Sequence, residues 1–252
     1  MSTLVLCSAG GAPGVTTTAL ALAWVWPDVH PGRRPMLLDA DPAGSGLHAM
    51  LLTVRDQAAM GLLALAARPG SPDAAAAVAA CLGLDPGGSR LVMPGISEPL
   101  QAGSLAPVWA AWSELAFDLH GAGIDVIVDA GRVGHTGEPT AVFADADVLA
   151  VLCAPTLSST VRTGAALRRL TELRAPRSAP VVIAVGTHPY GPREVGNALG
   201  TDVLLVEADV RAAAGLTEGY APRGGGARSP LMRSARTLAA CLMSDVSAEA
   251  MR

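Results

Sequence analysis

A glycine-rich segment near the start of the chain has residue types that suit phosphate binding. It reads AGGAPGVTT from Ala9 to Thr17, between an apolar run at Thr3–Ser8 and a second one at residues 15–26. Glycines let backbone N–H groups converge on phosphate oxygens at a helix N-terminus, where a Ser or Thr hydroxyl can hold Mg²⁺. The segment predicts a phosphate-binding loop with Thr16 at the metal, made of Gly10, Gly11, Ala12, Pro13, Gly14, Val15, Thr16 and Thr17.

Acidic residues directly follow two other apolar runs. Residues 35–38 lead into DADPAGSG, which contains Asp39 and Asp41, and residues 124–128 lead into DAGRVG, which begins with Asp129. In a parallel sheet covered by helices, ligands sit beyond the carboxyl ends of the strands. We therefore expect these three carboxylates to gather around the glycine loop.

The elements that must position these residues alternate between strands and helices. Further apolar runs lie at residues 147–153, 180–185 and 202–206, with a weaker one at 90–93, and helical segments separate nearly all of them. Apolar strands without polar alternation are typical of a parallel sheet that is buried on both faces. The sequence predicts an α/β fold with a mostly parallel twisted sheet and helices on both faces.

Two helices carry clear apolar stripes. One stripe runs from Leu105 through Trp109 and Trp112 to Leu119, with Ser104 placed to cap the helix, and its tryptophans are expected in the core. The other predicted helix spans residues 231–243, with arginines opposite its apolar side. Packing against the sheet and targeting to a membrane surface are both open for this last helix.

Composition indicates one globular domain over residues 1–252, with a core at about residues 1–243 and a short C-terminal tail. Of the 252 residues, 50% are hydrophobic and 16% charged, which allows a sizeable core.

The first 27 residues lack the basic segment of a signal peptide, and we expect a cytoplasmic protein without a transmembrane segment. The four cysteines form no CxxC pair, so reduced buried thiols are expected.

The basic residues are unusual in kind. All 18 of them are arginine and none is lysine, at a net charge of −4. A glycine loop that binds phosphate ordinarily uses a lysine to neutralise phosphate charge. The absence of lysine therefore bears most directly on this loop.

The motifs resemble those of the ParA/MinD family of P-loop proteins. SAGGAPGVTTTALALA is similar to the deviant Walker A motif KGGxGK[ST]T, with matches at Gly11, Gly14, Thr16 and Thr17. LLDADPAGSG is similar to the family's DxDPxG motif, IDVIVDAG to its Walker B strand, and residues 144–170 to its sixth-strand region. The resemblance covers most of the chain and implies a single P-loop NTPase-type domain.

The resemblance also implies roles for individual residues. The family's two lysines fall on Gly10 and Val15, so both are lost here. Asp39 stands where the family places a catalytic aspartate at the attacking water, and Asp41 and Asp129 stand at positions that hold Mg²⁺ directly or through water. Bound ATP and Mg²⁺ are implied, with binding weakened and hydrolysis slowed by the missing lysines and by Pro13, which lacks an N–H.

Three positions qualify these expectations. Arg132 follows the Walker B strand and could replace a lysine, or it could pair with a carboxylate at the surface, and His135 is equally open. An asparagine that contacts adenine in many family members is replaced by Gly186-Thr187-His188. The identity of the base is therefore not fixed by the sequence.

Residues 89–105 are similar to a stretch of the CpaE/TadZ subgroup and of actinobacterial septum-site proteins, where lysine-poor P-loops also occur. This resemblance implies protein partners in a pilus, secretion or septum system, a homodimer, and membrane recruitment through partners.

Nine arginines could form a basic face for DNA or solvated helix faces: Arg162, Arg168, Arg169, Arg174, Arg177, Arg223, Arg228, Arg233 and Arg236.

Three functions remain open at this point. The chain is a weakly catalytic localisation or scaffolding protein, a working positioning ATPase with arginine in place of lysine, or an arginine-rich nucleic-acid-binding module. The loop without lysine favours the first, the retained acids and Thr16 favour the second, and the arginine clusters favour the third.

Overall fold

The computed structural model describes residues 3–11, 13–44, 46–47, 60–175 and 177–249, with side chains as far as residue 242. Within these ranges eight strands form one sheet. They are β1 (Thr3–Ser8), β2 (Arg34–Asp39), β3 (Leu82–Gly83), β4 (Leu91–Met93), β5 (Ile124–Arg132), β6 (Val148–Cys153), β7 (Val181–Val185) and β8 (Val203–Val206). The order across the sheet is β3-β4-β2-β5-β1-β6-β7-β8, and only the short β3 pairs antiparallel. The predicted α/β fold with a mostly parallel sheet is confirmed.

Ten described α-helices connect or flank the strands. They are α1 (Val15–Val29), α2 (Gly61–Ala66), α3 (Ala74–Ala79), α4 (Ala106–Ala110), α5 (Trp112–Gly121), α6 (Thr140–Asp145), α7 (Leu157–Arg174), α8 (Pro192–Leu199), α9 (Val210–Thr217) and α10 (Pro230–Glu249). Short 3-10 helices add Pro99–Leu105 and Gly226–Arg228. None of the described helices is both long and apolar enough to cross a bilayer.

Alternation along β1 shows how the sheet is covered on both faces. Leu4 and Leu6 pack into a core with α1, α9 and α10, whereas Val5 and Cys7 pack into a second core with helices α2 to α7. Every residue of β1 is buried, because helices lie on both sides of it. The four central residues of the strand, Leu4 to Cys7, are accordingly all apolar.

Helix α10 packs against α1 and the sheet, as the first of its two interpretations predicts. Its buried side chains belong to the same core as α1, and they are Leu231, Met232, Ala235, Leu238, Ala239 and Leu242. Met243 of the predicted stripe lies beyond the described side chains. The described part of the stripe is therefore used in packing.

The prediction of one helix over residues 105–119 is wrong in its bounds. The chain forms a 3-10 helix at Pro99–Leu105, then α4, then α5, with a break at Ala111. Proline suits the first turn of a helix, and Pro107 is the second residue of α4. Ser104 lies inside the preceding 3-10 helix, and Leu105 is the N-cap of α4 instead. The stripe itself is buried, including Trp112 at 1% exposure, while Trp109 is half-buried.

Candidate phosphate-binding site

The glycine loop leaves the centre of the sheet and turns directly into α1. The Ser8 hydroxyl at the end of β1 donates to the Gly10 carbonyl at 3.0 Å. Gly14 has a φ of 87°, a left-handed conformation that glycine adopts without strain, and α1 begins at the next residue. The predicted strand, glycine turn and helix are therefore present, with Ala12 outside the described residues.

A cavity of about 360 Å³ lies over this turn. Backbone and side chains of the loop form one wall, and Asp41, Gly131 and Arg132 close the other side. The loop residues that line it are Gly10, Gly11, Pro13, Gly14, Val15, Thr16 and Thr17. The cavity stands at the N-terminus of the 15-residue helix α1, where the helix dipole favours an anion.

The three acids gather at this edge of the sheet, as predicted. Asp39 on β2 is the register partner of Asp129 on the adjacent parallel strand β5, and both are buried. The Asp41 N–H donates to Asp39 Oδ1 at 3.3 Å. A Cβ added to Gly131 would lie 2.1 Å from Asp41 Cγ, so only glycine at residue 131 lets this carboxylate pack where it does.

Asp129 carries an unsatisfied oxygen. Its Oδ1 accepts from the Gly131 N–H at 3.1 Å, but its buried Oδ2 has no hydrogen-bond partner among the described residues. Burial raises the pKa of Asp129 to about 6; the Thr16 hydroxyl and the Gly131 N–H oppose this rise, and the Asp41 carboxylate adds to it. A cation beside Thr16 would compensate the buried charge.

These residues fit Mg²⁺ shared with a ligand better than a closed protein site. No three His, Cys, Asp or Glu side chains in the described ranges converge closely enough to hold a metal by themselves. Mg²⁺ commonly takes only one or two protein carboxylates and completes its shell with water and phosphate oxygens. Asp129, Asp41 and the Thr16 hydroxyl would supply oxygen ligands of this kind.

Two arginines lie against the loop. A Cβ added to Gly10 would lie 3.0 Å from Arg162 Nη1, and one added to Gly11 would lie 3.2 Å from Arg132 Nη2. The sequence pointed to Arg132 but assigned Arg162 only to a basic face. His135 is exposed after β5 and is not among the residues that line the cavity.

Val15, at the second lost lysine position, is 7% exposed and packs in the core that includes α1, while it also lines the cavity. A second cavity of about 330 Å³ adjoins the first and shares Pro13, Gly14 and Thr17 with it. Its remaining lining is largely apolar and includes Val185, Val206, Ala208 and Val210. The replaced asparagine position at Gly186 follows directly after β7, beside this second cavity.

The basic face, one of the two interpretations of the nine arginines, is incomplete. Arg174 is 3% exposed and donates to the carbonyls of Phe143, Ala146 and Ser178, because its position on α7 points into the protein. Three other members form ion pairs, which are Arg169 with Glu138, Arg177 with Asp145 and Arg236 with Asp28. Placing Arg174 on this face was wrong.

Solved structures of similar fold include ATPases of the ParA/MinD type. The MinD cell division protein of Aquifex aeolicus has a TM-score of 0.73 at 14% identity, over 97% of this chain and 98% of that one. A ParA family ATPase from Chlorobium tepidum TLS has 0.72 at 15% identity, over 95% and 99%. The septum site-determining protein MinD of Pyrococcus horikoshii OT3, complexed with Mg-ADP, has 0.68 at 17% identity, over 93% and 95%.

Neither a protein-family model nor a curated protein matches the sequence. The structural likenesses extend over nearly the whole of each chain, although the sequences are less than one-fifth identical. The fold is therefore the one shared by MinD and ParA ATPases, as the motifs predict.

Proposed function

We propose that this chain, which has the ParA/MinD-type fold, binds ATP with Mg²⁺ and acts in localisation or scaffolding with little or no hydrolysis. The observation that carries the proposal is the buried Asp129 Oδ2, which has no hydrogen-bond partner among the described residues, on a carboxyl group beside Thr16, a residue that lines the cavity over the glycine loop. A divalent cation that also binds phosphate would satisfy the carboxylate and the loop together. The adjoining apolar cavity has room for a base.

Slow hydrolysis follows from the loop's side chains. Positive groups that act on the transferring phosphoryl contribute on the order of 10³–10⁵ in rate in related reactions. The described loop offers glycine, proline, valine and threonine, so no side chain of its own can place charge there as a lysine would. Asp39 is the candidate catalytic residue that the resemblance supplies, and it is buried at the same edge of the sheet as Asp129.

Calorimetry on the full chain tests nucleotide binding. We expect ATP to bind in the presence of Mg²⁺, and Thr16→Ala and Asp129→Asn to weaken binding, since each removes an oxygen ligand of the cation. Asp118→Asn is the matched control, because Asp118 is an exposed acid that does not line the cavity. Equal affinity in Asp129→Asn and Asp118→Asn would contradict the metal site.

A phosphate-release assay tests the proposal that the protein hydrolyses little or no ATP. We expect turnover close to background, with no further fall in Asp39→Ala. A working positioning ATPase is the second candidate, and the observation that favours it is the pair of arginines beside Gly10 and Gly11. Turnover comparable to that of lysine-containing ATPases, abolished by Asp39→Ala, would establish this second candidate instead.

Partners in a pilus, secretion or septum system are the third part of the proposal. Its support is the similarity of residues 89–105 to proteins of those systems, and this stretch exposes Leu100 almost completely, at 94%. A MinC:MinD cell division protein complex from Aquifex aeolicus is among the structures of similar fold. We expect the fluorescently tagged protein to concentrate at the cell pole or septum and Leu100→Glu to disperse it; a uniform distribution of the wild type would contradict this part.

A further inference from the structure

We propose that Arg162 and Arg132 form an arginine clamp that holds the phosphate groups of a nucleoside triphosphate and supplies the positive charge missing from the loop. The inference rests on the proposed function, because it names residues that hold the same ligand. It differs in that neither arginine belongs to the loop. One lies on α7 and the other ends β5.

Arg162 occupies the place of a side chain on the loop. A Cβ at Gly10 would lie 3.0 Å from its Nη1 and 3.4 Å from its Cδ, so the end of this side chain rests directly on the loop backbone. Gly10 is also one of the two positions at which the ParA/MinD motif has a lysine. The guanidinium therefore brings a positive charge from α7 to the space that a lysine side chain would enter.

Arg132 approaches the next residue of the loop. A Cβ at Gly11 would lie 3.2 Å from its Nη2, and Arg132 is among the residues that line the cavity. It follows Asp129 by three residues on β5, so the strand that presents the candidate metal ligand also presents the arginine. A phosphate bound to the cation would lie within the reach of both.

The two arginines carry charge that the protein does not neutralise. The guanidinium groups of Arg132 and Arg162 make no ion pair or hydrogen bond within the described part of the chain, although five other arginines pair with carboxylates there: Arg33, Arg90, Arg169, Arg177 and Arg236. The nearby Asp129 likewise has an oxygen without a partner. Unused positive and negative groups beside one glycine loop suit a ligand that combines an anion with a cation.

Phosphate with Mg²⁺ is such a ligand. A guanidinium presents a planar fork of donors that matches phosphate oxygens, and its charge persists at any physiological pH. A nucleoside triphosphate fits better than a single phosphate, because Arg162 and Arg132 contact consecutive loop residues from different elements and a second, largely apolar cavity adjoins. The adjoining cavity would take the base.

The test compares Arg162→Ala, Arg132→Ala and the double variant with Arg168→Ala. Arg168 is the matched control, since it is an exposed arginine on the same helix and does not lie against Gly10 or Gly11. Calorimetry is run with ATP and, separately, with inorganic tripolyphosphate, both with Mg²⁺. We expect each single substitution to lower the affinity for both ligands about tenfold, and the double variant to lower it about a hundredfold. Arg168→Ala should leave both affinities unchanged.

The outcomes separate the clamp from the proposed function. If the wild type binds ATP and all arginine variants match Arg168→Ala, the clamp is overturned while nucleotide binding stands. If affinity falls for ATP but not for tripolyphosphate, the arginines contact the base or ribose and the clamp is also overturned. If the wild type binds neither ligand, both proposals fail. Unchanged thermal unfolding of the variants verifies that they are folded.

Discussion

Asp39 and Asp129 are register partners on neighbouring parallel strands, and both are at most 1% exposed. Each follows an apolar run, and the parallel pairing of β2 with β5 brings the two acids to the same edge of the sheet. Two carboxylates so close and so buried destabilise a protein unless something compensates them. A cation bound beside the unsatisfied Asp129 Oδ2 would lower this cost.

Asp129→Asn should therefore stabilise the protein without metal while weakening Mg²⁺-dependent ATP binding. The pKa of Asp129 is raised from 3.8 to about 6, so the folded state holds this proton more tightly than the unfolded state. The carboxylate then lowers the free energy of unfolding as pH rises from about 4 to about 6, and the full effect persists above that range. A shift of this size corresponds to on the order of 3 kcal/mol.

Chemical denaturation in EDTA measures this effect. The variant's advantage in unfolding free energy should be near zero at pH 4, grow through pH 6 and stay constant at higher pH. The unsatisfied amide of asparagine will reduce the gain, so an advantage of about 1–3 kcal/mol is expected at pH 7.5. A variant less stable than the wild type at that pH would show that another group already compensates the carboxylate.

Most of the sheet was predictable because buried parallel strands are apolar along their whole length. The apolar run that begins at residue 124 was predicted to end at residue 128, whereas β5 continues to Arg132. The additional residues are polar or small, and they stay in the strand because Arg132 pairs with Ser8 of β1. Such pairing is a property of the neighbouring strand and leaves no apolar signal in the sequence.

The site was predictable where motif and strand end coincide, and not where a helix supplies the group. Gly14, Thr16, Asp39, Asp41 and Asp129 all lie in or directly after predicted elements. Arg162 reaches Gly10 only because α7 packs across the sheet and directs this residue toward the loop. The sequence assigned Arg162 to a basic or solvated helix face, but it could not show which element that face meets.

Val15→Lys should strengthen ATP binding, since Val15 occupies a lysine position and lines the cavity. One restored charged contact is worth roughly 1.5–3 kcal/mol, or about tenfold to a hundredfold in affinity. Val15 also packs in the core, so the longer side chain should lower the free energy of unfolding by about 1–3 kcal/mol. Calorimetry and denaturation measure the two effects.

Val15→Met is the matched control for this substitution, because it adds comparable length without the charge. It should show the loss of stability without the gain in affinity. Equal affinities for Val15→Lys and Val15→Met would mean that the side chain at residue 15 does not reach phosphate, and the loop would then bind its ligand through backbone groups and the arginine clamp.

Asp125→Ala should destabilise the fold strongly while leaving the phosphate site intact. Asp125 is 1% exposed at the opposite end of β5 from the site, where it accepts from Trp26 Nε1 at 2.9 Å and Arg33 Nη2 at 2.7 Å. Alanine leaves the buried indole N–H without a partner and the guanidinium without its counter-charge, at a cost of about 3–5 kcal/mol.

Denaturation midpoints of Asp125→Ala and Asp28→Ala provide the comparison. Asp28 pairs with Arg236 at the surface, so its loss should cost less than about 1 kcal/mol. ATP affinity, measured well below the unfolding transition, should be unchanged in both variants. Similar destabilisation of the two would contradict the role given to burial.

Gly10→Lys should act oppositely in two backgrounds, because residue 10 and Arg162 compete for one space. In the wild type, a Cβ at residue 10 would lie 3.0 Å from Arg162 Nη1, so a lysine must displace the guanidinium and repel it. We expect no gain in ATP affinity, or a loss of a few fold. In Arg162→Ala the space is free, and Gly10→Lys should recover about the tenfold affinity lost.

A double-variant cycle by calorimetry measures the coupling between the two positions. Glycine at residue 10 has no left-handed φ, so the backbone accepts the substitution and the result reports on charge and space alone. Additive effects in the cycle would show that Arg162 and residue 10 do not serve the same phosphate.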